Sequence, residues 1–228
     1  MFKLILLTIL ITLTLTLTHT HNPITLTYNP NLIITTPSIP LTNNIPLSIH
    51  TQTLPSTTSI ITNNYYYSYS LLNTFLSNYT PTPTSKPLAV IFDIDETILS
   101  NIPFQSYIHT NHLSFTPQLQ LNYLNTHILP TISPLTIPFI NYLISHNITP
   151  IFVSNRKSNT LSSTITNLSH YNLPTTHIYL RTSTKDKDPR ITSISNTYNI
   201  IQIHGDKLND FPNDTITPTT ILYPNYLY

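Results

Sequence analysis

The chain has 228 residues, enough for one domain of ordinary size with a buried core. Its net charge is +1 and only 7 % of its residues are charged, so it offers neither a basic field for nucleic acid nor an acidic one for cationic partners. With no cysteine, disulfides, thiolate metal sites, a thiol nucleophile and cysteine lipidation are all excluded.

Residues 1–20 carry one early base, Lys3, and then an apolar run that passes into a Leu/Thr alternation. The strongly apolar part is short for a membrane span, and a basic flank before such a run reads as a signal peptide. The expectation is an exported chain, secreted or periplasmic, with a retained signal anchor and membrane tether as the alternative. Residues 21–63 are rich in Thr, Pro, Asn and Ser without a sustained period, which reads as a linker or loosely ordered arm. Residues 65–76 then read as a helix whose aromatic face belongs to the core.

After the Pro-rich break at 81–87, short apolar runs alternate with helical spacing. Strands are expected at 88–92, 150–153, 176–180, 200–203 and 220–223, and helices at 135–145, 159–171 and 188–198. Such alternation implies an α/β fold, a parallel sheet with right-handed crossovers and flanking helices. Residues 100–130 show no clear strand and read as a small, mainly helical insertion beside the site.

Alanine, valine, aspartate, glutamate and glycine, whose codons begin with guanine, total 12 residues, and tryptophan and cysteine are absent. A gene depleted in guanine explains the scarcity. The survivors sit in a few short segments: Ala89 to Glu96, Val153, Asp186 and Asp188, and Gly205 to Asp214. These segments follow the expected strands or lie close to their ends, where ligands bind in open α/β sheets.

Asp93 and Asp95 stand two apart at the end of the first core strand, where extended backbone would put both on one face. Two close carboxylates can divide labour between nucleophile and proton carrier, and they repel unless a hard cation is present. Asp206 and Asp210 can help bind that cation, and the only glycine, Gly205, suits a tight turn or close approach. Ser154, Asn155 and Arg156 follow the second strand and can meet phosphoryl oxygens, and either Lys185 or Lys187 can neutralise their charge. The ten histidines have no metal-ligand spacing and read as structural or surface residues.

In order along the chain, AVIFDIDETILSN (89–101), IFVSNR (151–156), KDPR (187–190), GDKLNDF (205–211) and ILYPNYLY (221–228) carry a family resemblance. They are similar to the successive motifs of the haloacid-dehalogenase superfamily, in the DxDET form of the class C acid phosphatases, and the likeness spans 64–228 as one domain. The resemblance implies a Rossmann-like α/β fold and a Mg2+-dependent acid phosphatase that hydrolyses small phosphomonoesters, nucleoside 5′-monophosphates among them. It implies Asp93 as nucleophile, Asp95 as acid and then base, Ser154 and Lys187 on the phosphoryl oxygens, and Thr97, Asn155 and Arg156 in support. Magnesium would be held by Asp93, the carbonyl of Asp95, and Asp206, with Asp210 supporting. A catalytically silent storage or binding relative is the alternative. Lys207 stands where the family has asparagine, and the closing motif lacks its second proline and its glycine. No nucleic-acid polymer is expected as a partner, and membrane contact only through the N-terminal signal.

Overall fold

The structure, a computed structural model, describes residues 57–212 and 218–224, together with the backbone of two short strands, β1 (Thr25–Tyr28) and β2 (Leu32–Thr35). The signal-peptide reading of 1–20, Asp214 and residues 225–228 of the closing motif lie outside the described residues. Strands β1 and β2 pair antiparallel, Thr25 opposite Thr35 and Tyr28 opposite Leu32, within the stretch read as a linker. Both are rich in β-branched Thr and Ile, which suit a pleated strand.

Helix α1 (Thr57–Asn78) begins earlier than the aromatic run suggested, taking in the last residues of the expected arm. Its Thr and Asn content is unfavourable to helix, so packing decides. Ile61, Tyr65, Ser68 and Leu72 recur at helical spacing and are all buried. Tyr65 meets Phe139 edge-on with ring centroids 5.4 Å apart, and Tyr69 meets the same ring at 4.8 Å.

The main sheet holds β3 (Leu88–Phe92), β4 (Thr149–Lys157), β5 (Ile178–Arg181), β6 (Asn199–Gly205) and β7 (Thr219–Leu222), all parallel in the order β5-β4-β3-β6-β7. Flanking helices are α4 (Thr136–Ser145), α5 (Leu161–His170) and α6 (Asp188–Ser195). This is the α/β fold with a parallel sheet that the alternation of elements implied. β3 is buried along its whole length, as a central strand covered on both faces must be. Val90 and Phe92 join the core under α1 and α4, while Ala89 and Ile91 join the core under α6. A register shift opposite Ala89 and Val90 lets β6 send Ile200 and Ile203 to the second core.

Between β3 and α4 the chain forms α2 (Ile102–Thr110) and α3 (Pro117–Thr126). Thr116 caps α3, its hydroxyl accepting the Leu119 N–H at 3.1 Å, and Pro117 opens the first turn. The insertion is fastened to α5 by polar contacts. Asn167 accepts the Leu129 N–H at 2.7 Å, and the Tyr171 hydroxyl donates to the Leu129 carbonyl at 2.8 Å. A chain with one glycine must end helices some other way. His112, Asn147 and Asn172 take the left-handed conformation after α2, α4 and α5, with φ of 52°, 57° and 55°.

Candidate active site

The carboxyl end of the sheet collects the motifs. β3 stops at Phe92, so Asp93 and Asp95 lie in the following loop and not on one strand face as the spacing suggested. The Asp93 N–H still donates to the His204 carbonyl at 2.8 Å, which holds it against β6. Beyond it the loop closes on itself. The Ile98 and Leu99 N–H groups donate to the Ile94 carbonyl, each at 2.9 Å, with Ile94, Ile98 and Leu99 fully buried beneath. Glu96 accommodates the turn at φ 60°, a conformation uncommon outside glycine and asparagine, and its Oε1 accepts the Asn101 N–H at 2.6 Å.

The loop sends its two aspartates into different surroundings. Asp93 is buried and bonded to Nζ of Lys187, which also donates to Asp210 Oδ1 at 2.8 Å. Burial raises the Asp93 carboxyl, Lys187 draws it back down, and Asp210 and Asp95 push it up again. Lys187 is itself held charged, because Asp93 and Asp210 outweigh the burial that would lower it. Asp95 is gripped by Arg156, whose Nε lies 3.1 and 3.0 Å from its two oxygens and whose Nη2 lies 2.8 Å from Oδ1. Burial would raise Asp95, but the charge and hydrogen bonds of Arg156, with a bond from Asn101, hold it below the usual carboxylate range.

β4 runs on to Lys157, longer than the apolar stretch suggested, so Ser154, Asn155 and Arg156 lie on the strand itself. Ser154 is fully buried, its hydroxyl accepting the Arg156 N–H at 3.2 Å. Arg190 ties this strand end to α6. Its Nη1 donates to the Ser154 carbonyl at 2.6 Å and its Nη2 to Asn155 Oδ1 at 2.8 Å. Of the two lysines left open by spacing, Lys187 reaches Asp93 while Lys185 is exposed.

After β6, Asp206 and Asp210 converge on Asp93. The three buried aspartates each offer an oxygen within 4.8 Å of the others, while the Asp95 carboxylate stands outside the group. Three close carboxylates repel one another even with Lys187 beside two of them, and an all-oxygen donor set suits a hard divalent cation. Asp210 Oδ1 faces Lys187, and its Oδ2 accepts the N–H groups of Asp206 and Lys207 at 3.1 and 2.9 Å. Asp210 therefore organises the loop, leaving Asp93 and Asp206 as the better-placed ligands. Thr97 is fully buried; its hydroxyl has no hydrogen-bond partner among the described residues, and its carbonyl accepts from the Tyr65 hydroxyl at 3.4 Å.

Asn101 and Arg190 close two of the motif segments, yet neither has a role that sequence alone assigns. Their partners Asp95, Ser154 and Asn155 come from other loops or strands, or from five or more residues away, and no spacing rule pairs them.

The family described as HAD superfamily, subfamily IIIB (Acid phosphatase), matches residues 39–228. The chain is similar to the class C acid phosphatase from Bacillus anthracis, with 26 % identity over 77 % of this chain and 80 % of that one and a TM-score of 0.67. A tungstate-bound structure of that Bacillus anthracis enzyme matches with 26 % identity, a TM-score of 0.67 and coverage of 78 % and 81 %. The fold and motifs thus define a phosphoric monoester hydrolase. The chain belongs to the HAD superfamily, subfamily IIIB, the acid phosphatases.

Proposed function

We propose that this protein hydrolyses phosphomonoesters through an aspartyl-phosphate formed on Asp93. An Asp93 oxygen attacks phosphorus, the bond from phosphorus to the ester oxygen breaks, and Asp95 gives that oxygen its proton. Asp95 then takes a proton from water, whose oxygen attacks phosphorus and displaces the Asp93 carboxylate, releasing inorganic phosphate. Lys187 and Ser154 face the phosphoryl oxygens, with Arg190 holding the strand end that carries Ser154. The observation that carries this reading is placement: Asp93 sits with Lys187 among the clustered carboxylates, while Asp95 stands outside them with its side chain 27 % exposed.

Asp93 and Asp206, with the Asp95 carbonyl and support from Asp210, fit Mg2+, which when bound would offset the charge of phosphate and carboxylates. Binding of tungstate, a tetrahedral oxyanion, by the Bacillus anthracis relative agrees with a phosphate site in this fold. Nucleoside 5′-monophosphates are the substrate class we put forward, and the insertion carries exposed aromatic rings, Tyr107 and Phe115, of the kind on which a base stacks. Export rests on the N-terminal basic and apolar pattern.

Acid quenching of wild-type protein during turnover of a 32P-labelled ester should trap an acid-stable, hydroxylamine-labile label, absent in Asp93→Asn. No hydrolysis at any pH from acid to neutral, with Mg2+ present, would favour a silent storage or binding relative. Higher kcat/KM for nucleoside 5′-monophosphates than for sugar phosphates would support the substrate class. N-terminal sequencing of the native mature protein decides whether the signal is removed.

A further inference from the structure

We propose that Arg156 and Asn101 are positioning residues that fix which oxygen of Asp95 carries the proton to the leaving group, a role that rests on the acid function assigned to Asp95 above. Asp95 Oδ1 receives Arg156 Nη2 at 2.8 Å, Arg156 Nε at 3.1 Å and Asn101 Nδ2 at 2.7 Å. Asp95 Oδ2 receives Arg156 Nε at 3.0 Å. An oxygen crowded by donors cannot hold a proton as well, because the hydrogens would meet. The same donors favour the ionised carboxylate, and a proton that Asp95 takes up belongs on Oδ2; the side chain is 27 % exposed.

Both clamps are themselves held. The Arg156 side chain is 2 % exposed, with Nη1 donating to the buried Thr164 hydroxyl at 3.2 Å. Its three nitrogens thus point to protein acceptors, which makes its supporting role that of a holder of Asp95. The Asn101 backbone is pinned by Glu96 Oε1, and this gives the glutamate of the DxDET segment a purpose. The amide of Asn101 is turned so that its nitrogen meets Asp95 while its Oδ1 stays buried and without a partner among the described residues. An unpaired buried acceptor is costly, and the commitment of the other end of the amide to Asp95 accounts for it.

Proton donation matters most when the departing oxygen is a poor anion. Alkyl phosphates need it, whereas 4-nitrophenyl phosphate releases a stable phenolate. The test compares kcat/KM for glycerol 2-phosphate and 4-nitrophenyl phosphate in the full chain with Mg2+, for wild type, Asp95→Asn, Arg156→Lys and Asn101→Ala. Arg156→Lys keeps the charge but loses the planar fork. The alkyl-to-aryl ratio should fall about tenfold or more in Asp95→Asn and in the same direction in both clamp variants. Equal losses on the two substrates in the clamp variants, with Asp95→Asn still selective, would overturn the positioning role and leave the acid assignment standing. Equal losses in Asp95→Asn would remove the acid assignment and the clamp with it. Should Arg156→Lys fail to fold by circular dichroism, Asn101→Ala decides the question by the same ratio.

Discussion

A β-carbon on Gly205 would stand 2.5 Å from Cβ of Asp210 and 2.8 Å from its Oδ2. The only glycine in the chain is therefore required by a neighbouring carboxylate and not by its own backbone angles, since no glycine has positive φ. With any larger residue Asp210 could not turn back to accept the Asp206 and Lys207 N–H groups. Gly205→Ala should cost about 1–3 kcal/mol of stability, as overpacking does, and should lower kcat/KM as well. Thermal unfolding together with steady-state kinetics checks both.

Lys187 is the cation among the buried carboxylates, and Lys185 is exposed. Lys187→Met should reduce kcat/KM by about 100-fold or more, the scale of losing a preorganised electrostatic contact. It should also destabilise the chelated protein, because Asp93 and Asp210 would lose the buried cation that bonds both, by about 3 kcal/mol. Lys185→Ala should change stability by no more than about 0.5 kcal/mol. Comparable losses from the two substitutions would refute the assignment of the motif lysine.

His204 lies fully buried among Phe92, Phe139 and Tyr223, and burial pushes it from 6.5 down to about 3. Its Nδ1 accepts from the Tyr223 hydroxyl at 2.8 Å and its Nε2 donates to Gln202 Oε1 at 3.1 Å, so the neutral ring is fully partnered. Below pH 6.5 the unfolded chain gains a proton that the folded one refuses. Stability should therefore fall as pH drops from about 6.5 toward about 3, and be level with respect to this group above that range. Unfolding free energies measured across this window should show a shallower slope in His204→Gln.

Asp95 has the same sign of linkage in a more acid window. Its carboxyl is depressed in the fold, so the Arg156 contact contributes fully above the unfolded value, about 3.9, and is lost as pH falls through the folded one. The slope of stability against pH below about 4 should be smaller in Asp95→Asn.

Removal of metal should abolish turnover and lower the melting temperature, because a cation bound only by the folded site stabilises it by mass action. Asp206→Asn should weaken Mg2+ binding in titration calorimetry more than Asp95→Asn, whose side chain stands outside the clustered carboxylates.

Much of this protein is visible before folding is considered. Short apolar runs alternating with helical spacing define the parallel sheet, since burial on both faces leaves a continuous apolar string such as Leu88 to Phe92. The scarcity of acids makes Asp93, Asp95, Asp206 and Asp210 conspicuous, and their places after strands put them at one edge. Less visible were the limits of α1 and β4, because the Thr and Asn of α1 and the polar end of β4 take their conformation from packing and pairing, not from propensity.

Which groups would meet was decided only in three dimensions. Lys187 and not Lys185 turns inward, Arg156 grips Asp95 across 61 positions of sequence, and Asp210 fills the space that Gly205 leaves open. The order of residues alone specifies the kinds of group available and the strand ends that carry them. Their pairing comes from the folded chain, because hydrogen bonds and ion pairs depend on distances of about 3 Å between residues remote along it.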